Sequence, residues 1–340
     1  MAVIITQTDK MPLEKEMGVT EKFFVMPDDG MEVVIKPLRS AKRSIDIYVF
    51  TLSNADILGA LRDAAGRGVA VRALVDMHPS GNKDAGRAAL ESLKEAGVEA
   101  HPSPAYFTHT HAKSYVVDGS LALISSVNYL QDWQRTRDHG AITTEAAAVR
   151  TLAGTFEADW RSRHGDATTL PPPPVVLSPN NSRAMIAGMI GAAKTSVLME
   201  HEQITDPAII TALAARSNAG VKVELVTNAA QEKNARSLAE LAAQAPGVRI
   251  GYSSKLWMHA KLLIVDGVEM LMGSVNLTAE SLDTRREVSI VVTDAASVAR
   301  AIEVAQADLA GASPTPPDTG SRPAPPADSP SEQGHKGGTH

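Results

Sequence analysis

The chain has 340 residues, 44% of them apolar but only 4% aromatic, so any core must be largely aliphatic. It has no cysteine, which excludes disulfides, thiolate metal sites and cysteine nucleophiles. A net charge of −6 argues against a dedicated nucleic-acid binder, although a local basic groove could sit inside that average.

Residues 1–30 read as an N-terminal extension. They lack the basic start and apolar run of a signal peptide. No segment approaches the roughly 18 apolar residues that cross a bilayer, so a cytoplasmic protein is expected. Residues 31–167 read as a first α/β repeat: AKRSIDIYVF as a strand, a helical stretch, then an aliphatic strand after Gly68. The prolines at 171–174 mark a stiff linker over 168–182. Residues 183–310 read as a second repeat, in which Ala193-Lys194 matches Ala41-Lys42 and Gly220 matches Gly68. From Gly311 to the end the chain turns to Pro, Ala, Ser and Gly, a composition that cannot offset its ordering entropy, so 311–340 is expected to be disordered. Alternating strands and helices predict an α/β fold: two pseudo-twofold-related α/β/α repeats with mainly parallel sheets.

The strongest signal is THTHAKSYVVDGSLALISSVN set against LWMHAKLLIVDGVEMLMGSVN. The first holds His111, Lys113, Asp118, Ser126 and Asn128; the second holds His259, Lys261, Asp266, Ser274 and Asn276, at identical spacing. One His-x-Lys-x4-Asp is a weak motif, but two at equivalent points of a repeat are not expected by chance. Side chains two apart on a strand share a face. Each histidine therefore points with its lysine, and Asp118-Gly119 and Asp266-Gly267 read as turns that bring Ser-x-Asn back beside it. A pseudo-twofold axis would join the two faces into a pocket of imidazoles, ammonium groups, amides and hydroxyls, a set suited to a phosphodiester.

The motif pair resembles the phospholipase D superfamily over about residues 31–309. The resemblance implies metal-independent phosphodiester chemistry with no cofactor. One histidine attacks phosphorus and the other serves as general acid and base. On that basis His111 is the nucleophile and His259 the acid/base, with the reverse open by symmetry. Lys113, Lys261, Asn128 and Asn276 would hold phosphate, with Ser126 and Ser274 assisting. Each histidine needs an orienting carboxylate, and Asp138 and Glu287 hold matching places after the two motifs. Asp118 and Asp266 are expected to fix turns. One departure stands out: the family usually has Gly-Ser before the Asn, and the first half has Ser125-Ser126, whose extra Cβ is expected to loosen phosphate binding there.

Other residues read as ordinary. His109 has no third metal ligand nearby. His139 reads as a loop residue, and His201-Glu202 lacks the second histidine of a metalloprotease helix. Tyr129, Trp133 and Trp257 are balanced between a pocket rim and packing. Asn180 and Asn276 match the glycosylation pattern by coincidence. The motif specifies the reaction better than the substrate. Charge and the lack of a membrane span favour hydrolysis of a phospholipid head group at a membrane surface. A nuclease and a phosphatidyl transferase of cardiolipin synthase type are the alternatives. Both motifs lie in one chain, so a monomer is sufficient for a complete site.

Overall fold

The computed structural model describes residues 21–79, 83–161, 174–228 and 232–316. The first half runs β1 (Glu21–Met26), α1 (Glu32–Ser40), β2 (Ser44–Val49), α2 (Ala55–Gly66), β3 (Ala70–Val75), α3 (Lys83–Glu95), β4 (Glu99–Pro102), β5 (Lys113–Val117), β6 (Leu121–Ser125), β7 (Thr136–Thr143) and α4 (Ala146–Arg161). The second runs β8 (Val175–Ser178), α5 (Ser182–Ala192), β9 (Ser196–His201), α6 (Pro207–Asn218), β10 (Lys222–Thr227), α7 (Glu232–Gln244), β11 (Arg249–Tyr252), β12 (Trp257–Met258), β13 (Lys261–Val265), β14 (Glu269–Gly273), α8 (Ala279–Asp283), β15 (Glu287–Val292) and α9 (Ala295–Gly311).

The two sheets have matching strand orders, β1-β7-β6-β5-β2-β3-β4 and β8-β15-β14-β13-β9-β10-β11. The α/β class and the two-repeat architecture are as expected from sequence, but the strand sense is corrected from mainly parallel to mixed. Only the βαβ run β2-β3-β4 and its counterpart β9-β10-β11 are parallel within their sheets. Among the described residues the other neighbours along these two orders are antiparallel, and the short β12, off the path, pairs with β7 in parallel. At the motif the reason is local: a three-residue turn, Asp118-Gly119-Ser120 or Asp266-Gly267-Val268, can join only antiparallel strands. β1 begins at Glu21, ahead of residue 31, and β8 lies inside the stretch read as linker. Residues 162–173 and 317–340, with most of that linker and of the tail expected to be disordered, lie outside the described residues.

The strands bury both faces. Ile45, Ile47 and Val49 of β2 join the helix-covered core of the first half, and Val197, Met199, Val223 and Leu225 join its counterpart in the second. A third core lies where the two sheets face each other. It takes Tyr48, Val116 and Ile124 from one half, Leu262, Ile264 and Ile290 from the other, and the apolar faces of α4 and α9. Each such side chain contributes roughly 1.5–3 kcal/mol by leaving water, so the two halves form one body.

Two details of the repeat place the site. Asn54 and Asp206 cap α2 and α6 by accepting from the second and third backbone N–H groups that follow them. The N–H groups of Ser53 and Asn54 donate to Tyr129 O, and those of Thr205 and Asp206 to Leu277 O, at 2.9–3.0 Å. The cap therefore anchors the loop just after each motif asparagine.

Candidate active site

The strands that carry the histidines cross between halves. β12, which leads into His259, pairs with β7 of the first half. Thr110, which leads into His111, bridges to Arg286 just before β15. His111 N–H donates to Arg286 O at 2.9 Å, and His259 N–H donates to Arg137 O at 3.0 Å. The carboxylate that follows each arginine is thereby set against the histidine of the opposite half. Glu287 lies 2.9 Å from His111 Nδ1, and Asp138 lies 2.7 Å from His259 Nδ1. Each histidine is oriented by a carboxylate, as in a serine-protease triad, but the pairing runs across the pseudo-twofold axis.

Lys113 and Lys261 are fully buried beside these histidines. Lys113 Nζ donates to His111 O at 2.5 Å and lies 4.4 Å from the centre of the Phe50 ring. Lys261 Nζ donates to His259 O at 2.6 Å and to Glu202 Oε2 at 2.7 Å. Asn128 Nδ2 stands 3.4 Å from His259 Nε2, and Asn276 Nδ2 stands 3.3 Å from Glu202 Oε2. Among the described residues the side-chain oxygens of both asparagines are buried without a hydrogen-bond partner.

The serines are corrected. Ser126 Oγ donates to Asp138 Oδ1 at 2.6 Å and accepts from His139 N–H at 3.0 Å. Ser274 Oγ accepts from Val288 N–H at 3.0 Å. Both are fully buried behind the carboxylates and support them instead of facing phosphate. Ser281, not anticipated from sequence, does the same for Glu287 at 2.5 Å. Asp118 and Asp266 sit at turns with φ of 54° and 52°, each followed by a positive-φ glycine. Their carboxylates accept backbone N–H groups at the start of β2 and of β9, away from the pocket. These N–H bonds hold both acids below their ordinary values against the desolvation each incurs.

The electrostatics are not symmetric. Burial, reinforced by Lys113, Arg285 and Lys261, pushes the His111 imidazole well below its ordinary value, so it is neutral at pH 7. Burial likewise lowers Lys113, opposed by Glu287. Glu287 is raised by burial, in part offset by Lys113 and Arg285. Asp138 is desolvated too, yet His259, Lys261 and Ser126 hold it well below its ordinary value.

The Ser125 departure is met across the ladder. Ser125 faces Gly140, and in the second half Gly273 faces Ser289. Each pair holds one glycine and one serine, in opposite order. A Cβ at Gly140 would come 2.7 Å from Ser125 Cβ, and one at Gly273 would come 2.5 Å from Ser289 Oγ. The chain thus supplies room for the Ser125 Cβ from the strand opposite.

His139 is corrected from a loop residue to a buried member of β7, hydrogen-bonded to Glu200 and stacked on Phe23. Tyr129 and Trp257 are buried, and Trp133 packs against the first-half core, so these aromatics act in packing. His109 stands 3.5 Å from Asp76. Phe50 and Glu202, which touch the two lysines, were missed from sequence. The repeat could have flagged them. In the register that matches Ala41 to Ala193, they occupy the same position at the end of the strand beside each motif strand.

Residues 34–160 and 186–309 match the family described as cardiolipin synthase, PLD-like domain. The chain is 25% identical over 314 residues to the probable cardiolipin synthase YwiE of Bacillus subtilis, covering 78% of this chain and 61% of the relative. It is 27% identical over 310 residues to a cardiolipin synthase of Geobacillus kaustophilus, covering 77% and 60%. It therefore spans about three-fifths of the length of these relatives. Among solved structures, a phosphatidylserine synthase of Haemophilus influenzae shares the fold with a TM-score of 0.65 at 14% identity, covering 85% of this chain and 86% of that one. These relatives overturn the expectation of head-group hydrolysis, because their names denote synthesis, and lipid degradation falls with it. The nuclease alternative gains no support from them. The family match takes in both halves and both motifs, and the chain belongs to the phospholipase D superfamily.

Proposed function

We propose that this chain is a phosphatidyl transferase of cardiolipin synthase type, acting on phospholipid at a bilayer surface. Among the described residues no helix is long and apolar enough to cross that bilayer. The observation that carries the chemistry is the crossed pairing, Glu287 on His111 and Asp138 on His259, around one pocket supplied by a single chain. The relatives' names carry the choice of transfer over hydrolysis.

The two histidines divide the work by their surroundings. His111 is kept neutral by burial and three nearby cations, so its Nε2 lone pair is free to attack phosphorus. His259 has Asp138 on Nδ1 and Glu202 3.7 Å from Nε2, so an imidazolium there has a carboxylate at each nitrogen. In the first step the His111 Nε2–P bond forms and the P–O bond to the leaving alcohol breaks. The leaving oxygen takes the proton from His259 Nε2. In the second step an acceptor alcohol returns a proton to His259, its oxygen bonds to phosphorus, and the P–N bond breaks. Lys113, Asn128 and Asn276 stabilise the phosphoryl oxygens throughout.

The test is purified protein in EDTA with phosphatidylglycerol vesicles, alongside His111→Ala and His259→Ala. Cardiolipin and free glycerol are expected from the parent alone, and no covalent phosphoenzyme from His111→Ala. Phosphatidate as the parent's only lipid product would exclude the transferase.

A further inference from the structure

The pocket is built twice, but one position breaks its symmetry. At the end of the strand beside each motif, the first half has Phe50 and the second has Glu202. The Phe50 ring lies against both His111, at 4.5 Å between ring centres, and Lys113. Glu202 Oε2 instead meets Lys261 Nζ at 2.7 Å, Asn276 Nδ2 at 3.3 Å and His259 Nε2 at 3.7 Å. A carboxylate inside a pocket for an anion is unfavourable to phosphate and needs a reason. Lys261 and His259 hold its carboxyl well below the usual carboxylate range against desolvation, so it carries its charge in use.

Its placement gives the reason. Among the described residues the ammonium of Lys113 hydrogen-bonds to a single carbonyl and lies over an aromatic face, without the close carboxylate that Lys261 has, and remains available to a phosphoryl oxygen. That of Lys261 is already neutralised by Glu202. The first half is thus the phosphate side. In-line displacement expels the leaving alcohol on the face away from His111, toward His259, and admits the acceptor by the same route. Glu202 stands beside the nitrogen that exchanges a proton with that alcohol. All three of its contacts fall on Oε2, and Oε1 accepts no hydrogen bond from any described residue.

We infer that Glu202 is a specificity-determining residue for the alcohol side of the reaction: its free carboxylate oxygen accepts a hydrogen bond from a hydroxyl on the carbon next to the reacting one, selecting glycerol-type polyols as acceptor. The inference rests on the transferase reading and deepens it. A simple alcohol offers Oε1 no such hydrogen bond, which is where the discrimination arises. The polyol can be free glycerol or a lipid head group, since both present the same vicinal hydroxyl.

The experiment supplies phosphatidylglycerol vesicles with deuterated glycerol and 1-propanol at equal concentration. Deuterated phosphatidylglycerol, phosphatidylpropanol and cardiolipin are then read by mass spectrometry for the parent, Glu202→Gln and Glu202→Asp. Glu202→Gln is expected to lower polyol products relative to phosphatidylpropanol by about 10- to 100-fold, and Glu202→Asp by less, because it keeps the charge. A fall in both deuterated phosphatidylglycerol and cardiolipin supports recognition of either source. A fall in cardiolipin alone supports recognition of the lipid head group. Unchanged ratios of both to phosphatidylpropanol in Glu202→Gln, or equal loss of all three products, overturns the inference while leaving the transferase intact. A parent that makes none of the three overturns the transferase reading and this one with it.

Discussion

His111 and His259 carry the same motif in different company. His111 has one carboxylate partner, Glu287, and a phenyl ring; His259 has Asp138 at 2.7 Å and Glu202 at 3.7 Å. Because the pairs cross the axis, each carboxylate must act on the other half's step. Asp138→Asn is expected to impair protonation of the leaving alcohol. Phosphoenzyme formation should slow by about 10²–10⁴-fold, as when a triad carboxylate is amidated. A donor whose leaving group needs no proton, such as a nitrophenyl ester, should recover most of that rate. Glu287→Gln should slow both donors alike, since it misorients the nucleophile. Rapid-quench measurement of phosphoenzyme with the two donors distinguishes them, and equal responses would refute the division of roles. The histidines, lysines and both carboxylates were legible because two-residue strand spacing and the repeat point to them. Which carboxylate serves which histidine was not, because that depends on strands crossing between halves.

At the level of elements, the motif strands tolerate little change where they meet their neighbours. Gly140 on β7 faces Ser125 on β6, and an added Cβ would meet Phe24 Cζ at 2.2 Å and Ser125 Cβ at 2.7 Å. Phe24 is fully buried and cannot swing away. Gly140→Ala should therefore destabilise the chain by about 1–3 kcal/mol, the usual cost of overpacking. Adding Ser125→Gly removes one of the two clashes and should return part of that loss, a coupling that a double-mutant cycle in urea would measure. Strict additivity would show that the glycine–serine exchange does not matter. The departure at Ser125 was visible in the sequence, but its compensation was not. Gly140 lies 15 positions on, and only the strand register makes them neighbours. The same holds for strand sense: βα alternation was read correctly, yet four of the six pairings along each sheet order are antiparallel, the Asp-Gly hairpin among them.

Over the whole molecule, the same arginines that position the site also bind the halves together. Arg286 is fully buried and holds Asp159 of α4 with two contacts of 2.8 Å. Arg137 reciprocates with Asp308 of α9 at 2.6 and 3.1 Å. The second clamp is the strained one. Burial and the neighbouring Glu200 push Asp308 up to about 6, with Arg137 pulling the other way, and Glu200 is itself raised by burial. A carboxyl raised in the folded state contributes stability that is complete below its unfolded value and is lost as pH rises through its folded value. The window here is about pH 4 to 6. Asp308→Asn cannot ionise, so the melting-temperature difference between parent and variant should shift against the parent across that window. A difference that stays constant from pH 4.5 to 7 would remove Asp308 from the account.

Sequence alone determined the local and the periodic: the alternation of strands and helices within each half, that the chain is a repeat, and which imidazoles and ammonium groups share a strand face. These follow from side-chain periods and turn chemistry, which act within a few residues. Tertiary structure decided what depends on approach between distant segments. It set the crossed His–carboxylate pairs, turned Ser126 and Ser274 away from the pocket, moved His139 into the core and placed Glu202 beside Lys261. Each of these is a choice of partner across a sheet or across the pseudo-twofold axis, and in this chain the two halves exchange partners there. A residue's own neighbours in sequence carry no record of that exchange.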